Sequence, residues 1–309
     1  MATVVDVLIS ERTLKSPSQN GAGACGKSDE LSGLCPITSI EWCAKLSSRA
    51  GEPPDACWLV DTVAGTVKMR MEDEQMSFLA AIPIYNEEKH VAFVISEITC
   101  CVRDIVVVDD GSTDRSPEIL SELAREYPGL RVIRHESNQG YGKSLIDAFD
   151  FAVANEFEHV ITLDCDEQHQ PSEILDFVLG IDSLDIVSGS RFHPESKYEG
   201  IPPPEQRRRV GQLVLDRING ITGWNLTDAF CGFKAYRTAA LKKLRLTEHG
   251  YGMPLQLWIQ AWKAGLRVGE KPVTLKYLSP TRSFGGALDD PDVRLKYYYE
   301  LIDRELAGG

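Results

Sequence analysis

Asp164 and Asp166 are two carboxylates separated by one residue, and they directly follow the short apolar segment 159–163. Carboxylates at positions i and i+2, where a strand leads into a turn, can both face one hard divalent cation. Such a cation prefers oxygen ligands and keeps positions open for phosphate oxygens. A D-x-D pair is also common in surface loops that bind no metal. We predict that Asp164 and Asp166 hold a metal ion because other polar segments of the chain converge on the same region.

Two other kinds of metal site fit this segment less well. In an EF-hand that began at Asp164, His169 would occupy the position of the invariant glycine and Leu175 that of the bidentate glutamate. Cys165 and His169 are possible zinc ligands by residue type, but no partner pair of Cys or His stands at a typical ligand spacing. The sequence therefore favours a hard cation.

Two further polar segments are open to structural interpretations. The acidic turn 109–114, D-D-G-S-T-D, is either a binding loop or an Asx turn that caps the following helix. The segment 138–143, N-Q-G-Y-G-K, resembles a phosphate cradle. Its glycine spacing matches neither a Walker loop nor G-x-G-x-x-G after a strand, so a tight turn into a helix is favoured there.

The elements that position these segments alternate between strand and helix. The predicted strands are 78–84, 104–108, 131–135, 159–163 and 185–187, and the predicted helices are 87–102, 116–127, 143–154 and 172–180. Pro117 suits the first turn of its helix. This alternation predicts an α/β fold with a mainly parallel sheet flanked by helices, in which ligands bind at the carboxyl ends of the strands. The polar segments follow those ends, so we expect them to share one cleft.

Composition excludes several classes of function. The chain has 309 residues, of which 43% are hydrophobic and 26% charged, so it is an ordinary globular protein. Its net charge of -13 argues against a nucleic-acid partner. No segment approaches the roughly 20 apolar residues of a spanning helix, so no transmembrane segment is predicted. Eight cysteines without a C-x-x-C pair or a signal peptide indicate reduced thiols and a cytoplasmic protein.

The chain divides by composition at about residue 77. Residues 1–76 are rich in Ser, Gly, Pro and Ala and lack a sustained periodic pattern, which predicts a loosely ordered N-terminal extension. Residues 77–309 are predicted to form the catalytic domain. Met76 opens the first strongly patterned segment, and whether it is the true start is left open.

Six motifs in order carry a family resemblance. They are P-I-Y-N-E at 83–87, V-V-V-D-D-G-S-T-D at 106–114, N-Q-G-Y-G-K at 138–143, D-C-D-E-Q-H at 164–169, G-S-R-F at 189–192 and D-A-F-C-G-F-K at 228–234. Residues 78–275 resemble the family 2 glycosyltransferases, in particular the group of dolichyl-phosphate mannose synthase and other polyprenyl-phosphate sugar transferases. The resemblance implies a Rossmann-like GT-A fold, a nucleotide-diphosphate sugar donor, Mg²⁺ or Mn²⁺, and inversion at the anomeric carbon.

The resemblance also assigns residues to the donor side of the site. It implies that Pro83, Tyr85 and Glu87 hold the nucleoside, and that Val108 with Asp109 or Asp110 contacts the base and ribose. Asp164, Asp166 and Gln168 match the metal and diphosphate ligands, and Asp164 with Cys165 completes the nucleotide-sugar set. A metal at that position would stabilise the charge that develops on the leaving diphosphate.

On the acceptor side, Arg191 matches an arginine that faces the acceptor phosphate in the family. The run 207–209 matches a second arginine region, with Arg208 as the preferred register. A surface ion pair for Arg191 and a solvated helix start for the run are the alternatives. Asp228 is a candidate general base for a hydroxyl acceptor, or a supporting residue if the acceptor is a phosphate. Asp166, Arg191 and Asp228 form the predicted catalytic set.

The acceptor end departs from the family pattern. Lys234, Met253 and Gln256 stand where relatives often carry other residues, the segment 277–283 lacks the usual R-x-x-G-x-S, and no hydrophobic tail follows. A lipid acceptor would then be met by peripheral contact at the membrane face. The predicted function is a metal-dependent inverting transfer from GDP-mannose or a UDP-sugar to polyprenyl or dolichyl phosphate. The alternatives are a soluble hydroxyl acceptor, a non-catalytic nucleotide-sugar-binding module and a nucleotidyltransferase.

Overall fold

The computed structural model describes residues 58–63, 66–71, 77–200, 205–277 and 286–308. The strands within these ranges are β1 (Trp58–Val63), β2 (Thr66–Met71), β3 (Phe78–Ile84), β4 (Asp104–Asp109), β5 (Leu130–Arg134), β6 (His159–Thr162), β7 (Ile186–Ser190), β8 (Lys197–Gly200), β9 (Lys234–Arg237), β10 (Val268–Pro272) and β11 (Thr274–Tyr277). The helices are α1 (Val91–Thr99), α2 (Ser116–Glu126), α3 (Tyr141–Ala154), α4 (Ile174–Gly180), α5 (Glu205–Thr222), α6 (Thr238–Leu241), α7 (Met253–Lys263) and α8 (Pro291–Ala307).

In the described part of the chain, seven strands form one mixed sheet in the order β10-β7-β9-β6-β3-β4-β5. Strand β9 runs antiparallel to both of its neighbours, β6 and β7. The other strands of the sheet run in one direction. The predicted α/β class and the mainly parallel sheet are therefore confirmed, and the five predicted strands lie within about one to three residues of their observed bounds.

The central strand β3 is buried on both faces of the sheet. Leu79 and Ala81 pack into one core together with α3, α5, α7 and α8. Ala80 and Ile82 pack into a second core together with α1, α2 and α4. Because alternate side chains of a strand point to opposite faces, the continuous apolar run of β3 serves both cores. The two cores fix the sheet, and the sheet fixes the positions of the loops at its carboxyl end.

Helix α1 begins at Val91, four residues later than the predicted start at residue 87. The residues before it form a turn, in which the backbone N–H groups of His90 and Val91 both donate to the carbonyl of Glu87. The N–H of Glu88 donates to Asp114 Oδ2 over 3.0 Å. The first residues of the predicted helix are therefore held by the loop after β4. Helix α2 carries its proline in the first turn, as predicted.

Strands β1 and β2 form an antiparallel hairpin within the predicted N-terminal extension. No pattern in the sequence led us to predict it. The remainder of residues 1–76, including Met76, lies outside the described residues, and so does the segment 278–285. The predicted boundary at residue 76 stays a prediction.

The length and hydropathy of a helix decide whether it can span a membrane. None of the helices in the described ranges is long and apolar enough to cross a bilayer.

Candidate active site

The loops that follow β3 and β4 form one connected rim at the carboxyl end of the sheet. Asn86 has a φ of 57°, and its side-chain oxygen accepts hydrogen bonds from the backbone N–H groups of Thr113 at 2.8 Å and Asp114 at 3.3 Å. In return, the N–H of Asn86 donates to Ser112 Oγ over 2.9 Å. The P-I-Y-N-E and D-D-G-S-T-D motifs are thus joined, as their shared position after neighbouring parallel strands predicts.

The predicted nucleoside residues differ in how far they reach solvent. The Tyr85 side chain is 46% exposed on this rim, whereas Pro83 and Glu87 are half-buried. Val108, which pairs with Pro83 in the sheet, is fully buried in the core. Tyr85 is therefore the member of this set that offers an open aromatic face, and the Val108 side chain is enclosed by protein.

Asp109 and Asp110 are both buried, and each carboxylate is already engaged. Asp109 Oδ1 accepts a hydrogen bond from the N–H of Ser112 at 2.9 Å, and its Oδ2 lies 3.4 Å from Arg134 Nε without forming a hydrogen bond. Asp110 accepts from the N–H groups of Gln139 and Gly140, each at 2.8 Å. The sequence left the choice between these two aspartates open. In the structure, Asp110 anchors the N-Q-G-Y-G-K segment.

A buried histidine extends this anchor into helix α3. His135 Nδ1 lies 2.6 Å from Asp110 Oδ1, and its Nε2 lies 2.8 Å from Asp147 Oδ2. The ammonium of Lys143 pairs with the other oxygen of Asp147. Sequence reasoning missed this network because Asp110 and His135 lie in segments separate from the helix that carries Lys143 and Asp147, and these side chains meet only in the folded chain.

Two glycines explain the close packing of these loops. Gly111 has a φ of 71°, and a Cβ atom there would lie 2.5 Å from the backbone carbon of Ser137. Gly140 has a φ of 108°, a backbone conformation that residues other than glycine rarely adopt. Gly111 and Gly140 thus serve tight turns, and Gly140 leads directly into helix α3.

The predicted metal ligands lie together on the turn that follows β6. Asp164 Oδ1 accepts a hydrogen bond from the hydroxyl of Tyr141 at 3.0 Å, and Asp166 Oδ1 accepts one from the N–H of Gln168 at 3.1 Å. The backbone of Gly232 lies against the Asp164 carboxylate, since a Cβ atom at 232 would be 2.3 Å from Asp164 Oδ2. Asp164, Asp166 and Gln168 are half-buried, so they are open to a ligand on one side.

The donor atoms on this turn fit a hard cation. Two carboxylates and one amide oxygen are the chemistry that Mg²⁺ and Mn²⁺ prefer. Among the described residues, no group of three or more His, Cys, Asp and Glu side chains gathers at a distance that could hold a metal. A cation on Asp164 and Asp166 would therefore take its remaining ligands from Gln168, water and a bound diphosphate.

The sulfur and imidazole groups near this turn face the core. Cys165 is buried, and so is His169, which packs against Phe233 with ring centroids 5.5 Å apart. Burial lowers the pKa of His169. Its Nε2 lies 4.0 Å from the sulfur of Cys231, which is itself buried. This arrangement agrees with the sequence in disfavouring zinc, and it places the Cys165 side chain away from the open face of the turn.

Arg191 and Asp228 form a bidentate pair at the end of β7, in which the Asp228 carboxylate is buried. Arg191 Nε donates to Asp228 Oδ2 over 2.6 Å, and its Nη2 donates to Oδ1 over 2.9 Å. The backbone N–H of Arg191 also donates to Asp228 Oδ2. Burial alone would raise the pKa of Asp228, but the charge and hydrogen bonds of Arg191 outweigh it and lower that pKa. The Asp228 carboxylate is thus fixed by its hydrogen bonds with Arg191. The Arg191 side chain remains 25% exposed.

The second arginine region lies in the first turns of helix α5. Arg208 and Arg209 are exposed, and the side chain of Arg207 lies outside the description. The hydroxyl of Tyr198 donates to the backbone carbonyl of Arg191. Burial raises the pKa of Tyr198, whereas the charges of Arg208 and Arg191 act to lower it. Arg191 and Arg208 therefore both act on the same hydroxyl through their charges.

Beneath the site, Lys234 is a buried cation that the sequence did not reveal as a site residue. Its ammonium donates to the backbone carbonyl of Cys231 and lies 5.4 Å from the centroid of the Trp258 ring. Burial lowers the pKa of Lys234. Phe233 and Tyr236, on either side of it, pack in the core as predicted. Lys234 therefore supports the loop that carries Gly232.

The match to a family model covers all six motifs. A model described as glycosyl transferase family 2 matches residues 80–245. The undecaprenyl-phosphate mannosyltransferase of Micrococcus luteus is 27% identical over 227 residues, which are 71% of this chain and 93% of that protein. The UDP-N-acetylglucosamine–dolichyl-phosphate N-acetylglucosaminyltransferase of Methanococcus voltae is 30% identical over 239 residues, which are 72% of this chain and 93% of that protein.

A solved structure shares the architecture of the sheet. The crystal structure of glucosyl-3-phosphoglycerate synthase from Mycobacterium tuberculosis, in complex with Mn²⁺ and UDP-glucose, has a TM-score of 0.56 at 19% identity. The match covers 74% of this chain and 79% of that chain. It shows a common fold, the GT-A arrangement that the motifs predict.

Proposed function

The chain belongs to glycosyl transferase family 2 and is a glycosyltransferase, and we propose that it transfers a sugar from a nucleotide-diphosphate sugar to a polyprenyl phosphate. The observation that carries the acceptor proposal is the bidentate Arg191–Asp228 pair at the end of β7. It presents a fixed guanidinium on the acceptor side of the acidic turn. A planar guanidinium group can bind two oxygens of one phosphate through two parallel N–H donors.

On the donor side, we assign the nucleoside to the rim that carries Tyr85 and the diphosphate to the turn of Asp164, Asp166 and Gln168. A bound Mg²⁺ or Mn²⁺ would act there as a Lewis acid for the leaving diphosphate. Tyr141 and Gly232 hold the Asp164 carboxylate in place. Asp164, Asp166 and Gln168 would hold this metal ion, and the metal would neutralise the charge of the diphosphate.

On the acceptor side, the state of Asp228 favours a phosphate over a hydroxyl. A hydroxyl acceptor needs a base to remove its proton, whereas an ionised phosphate oxygen needs none. Asp228 has a lowered pKa and both of its oxygens bind Arg191, so it is a weak base. Arg191 carries further N–H donors on Nη1 and Nη2 for the phosphate. Arg208 adds a second cation on the same side.

The relatives support the same acceptor class. One is named for undecaprenyl phosphate and another for dolichyl phosphate, and both are covered over 93% of their length. Their sugars differ, so the donor remains one of GDP-mannose or a UDP-sugar. A lipid acceptor would place the chain at the cytoplasmic face of a membrane by peripheral contact.

The proposal is tested by a transfer assay with purified protein. Radiolabelled GDP-mannose, UDP-glucose and UDP-N-acetylglucosamine are each offered with polyprenyl phosphate in detergent and, in parallel, with soluble sugars. We expect label on the polyprenyl phosphate with one of these donors. Label that appears only on a hydroxyl-bearing sugar would contradict the phosphate acceptor. Nucleotide binding without transfer to any acceptor would indicate a binding module.

The metal assignment predicts a specific loss in Asp166→Asn. Removing one of few protein ligands should lower Mn²⁺ affinity by about 10-fold or more and abolish metal-dependent release of nucleotide from the donor. Mn²⁺ binding is measured by electron paramagnetic resonance, and circular dichroism checks the fold. Asp182→Asn, on an exposed residue outside the site, is the matched control. Unchanged Mn²⁺ affinity in Asp166→Asn would contradict the assignment of Asp166 as a metal ligand.

A further inference from the structure

Glu270, on strand β10, binds the loop that leads to Asp228. Its Oε2 accepts hydrogen bonds from the backbone N–H of Thr227 at 2.7 Å and from the hydroxyl of Thr227 at 2.9 Å. Its Oε1 accepts one from the backbone N–H of Asp228 at 3.0 Å. Hydrogen bonds to an ionised carboxylate are stronger than those between neutral groups. One half-buried side chain therefore fixes two consecutive residues of an irregular loop.

The contacts continue from this loop to the arginine. Asp228, whose N–H is bound by Glu270, holds the Arg191 guanidinium with both carboxylate oxygens. Thr227, the other residue bound by Glu270, lies with its hydroxyl 2.5 Å from Ser190 Oγ, and Ser190 directly precedes Arg191. Two routes thus lead from the Glu270 carboxylate to Arg191, one through a side chain and one through the backbone of β7.

The far end of the same loop is held by a different residue. The hydroxyl of Thr162 donates to the carbonyl of Gly232 over 2.7 Å, and Gly232 lies against the Asp164 carboxylate. Between the two ends, Trp258 Nε1 donates to the carbonyl of Ala229 over 2.9 Å. The segment 227–232 therefore has an acceptor end fixed by Glu270 and a metal end fixed by Thr162.

We propose that Glu270 is a positioning residue for the transfer reaction, which sets the orientation of Arg191 toward the acceptor phosphate through Thr227 and Asp228. This inference rests on the proposed role of Arg191. In this role Glu270 acts through the loop and not through a contact with the substrate. Its carboxylate fixes the backbone from which Asp228 reaches Arg191, and Asp228 then fixes the guanidinium plane.

The first test compares Glu270→Gln with Thr162→Val. The introduced amide presents one acceptor oxygen where the carboxylate presents two, so the loop loses hydrogen bonds at its acceptor end. We expect the KM for the acceptor to rise about 10-fold in Glu270→Gln, with the donor Kd unchanged. Thr162→Val, which removes the hydroxyl at the metal end, should weaken Mn²⁺ and donor binding and leave the acceptor KM near its original value. Equal effects of Glu270→Gln on donor and acceptor would overturn the proposal.

The second test is a double-mutant cycle with Arg191→Ala. If Glu270 acts through Arg191, then Glu270→Gln should reduce kcat/KM far less in the Arg191→Ala background than in the original chain. Additive losses would show that Glu270 acts independently of Arg191. Thermal unfolding followed by circular dichroism separates a loss of positioning from a loss of fold.

The double-mutant cycle tests the role of Glu270 even if the proposed acceptor is wrong. The cycle can be measured with whichever acceptor the original chain uses, including a soluble sugar. Transfer only to a hydroxyl would contradict the proposed function, whereas additivity in the cycle would contradict the role of Glu270. If Glu270→Gln does not fold, Thr227→Val replaces it in the test. This variant removes the hydroxyl that donates to Glu270, and we expect a smaller rise in the KM for the acceptor.

Discussion

At the level of single residues, one ion pair organises the side of the site to which we assign the acceptor. The Asp228 side chain is 2% exposed, and it holds Arg191 through two side-chain hydrogen bonds. A guanidinium that is already oriented loses less conformational entropy when it binds phosphate than a mobile one. In the proposed reaction, Asp228 therefore contributes through Arg191.

This arrangement predicts which of two substitutions at the ion pair causes the larger loss of activity. Arg191→Ala removes the group that meets the phosphate, and we expect it to lose about 3 kcal/mol of transition-state stabilisation in kcat/KM for the acceptor. Asp228→Asn keeps the guanidinium and a neutral oxygen partner, so its loss of activity should be smaller. Steady-state kinetics with polyprenyl phosphate measure both. The opposite ranking would point to Asp228 as a base for a hydroxyl acceptor.

The same pair predicts how stability depends on pH. Because the folded pKa of Asp228 is lowered, its stabilising contribution is present above the ordinary aspartate pKa of about 3.9 and is lost as pH falls through the folded value. At pH 7, Asp228→Asn should destabilise the fold by about 3 kcal/mol, because Arg191 is left without its charged partner. Urea unfolding of the original chain and of Asp228→Asn should show this difference in the free energy of unfolding at pH 7. The difference should be smaller below about pH 4. A difference that is constant with pH would contradict it.

At the level of elements, the segment 227–234 connects the two halves of the site. It carries Asp228 at the acceptor end and Gly232 at the metal end, and it leads into β9. The position of β9 between β6 and β7 brings this segment beside the turns that follow both strands. The placement of β9 therefore explains how residues far apart in sequence share one cleft.

Gly232 provides a test of this connection. In Gly232→Ala, the new Cβ atom would meet the Asp164 carboxylate, which must then move from its hydrogen bond with Tyr141. We expect Mn²⁺ affinity to fall about 10-fold while the fold is retained. Gly211→Ala, on helix α5 where no atom lies within 4 Å of the new Cβ, is the control. It should keep Mn²⁺ affinity and stabilise the fold by up to about 1 kcal/mol. Equal Mn²⁺ affinities in the two variants would disprove the role of Gly232.

The parallel strand β10, V-G-E-K-P, was missed because it contains no apolar run, whereas the strands at 78–84 and 159–163 were predictable because each is an apolar run followed by a polar turn. Strand β9 was not, because its four residues, K-A-Y-R, contain a lysine and an arginine. Lys234 is buried with its ammonium donating to a backbone carbonyl and facing the Trp258 ring. Likewise, the spacing of Asp164 and Asp166 predicts a metal site, which stays a prediction, whereas Glu270 binds a loop more than 40 residues earlier in the chain and has no such signal. Such contacts have no local pattern.

At the level of the whole molecule, the hairpin β1–β2 pairs only with itself among the described strands, and it adds no strand to the large sheet. Deleting residues 1–75 should therefore leave a soluble protein that binds nucleotide with an unchanged Kd. Circular dichroism and calorimetric titration with nucleotide measure this. Global unfolding of the shortened chain would show that the N-terminal residues complete the catalytic domain.

The position of β9 also has a consequence for how the chain is made. Strands β3 to β6 can assemble as soon as they leave the ribosome, but β6 has a second neighbour besides β3 in the final sheet, and this neighbour, β9, is synthesised after β7. At about 5–20 residues per second, several seconds pass between Thr162 and Lys234. During that interval the apolar edge of β6 is unpaired and is a template for association with other nascent chains. The yield of native protein should therefore depend more on translation speed between residues 163 and 233 than on translation speed after β9.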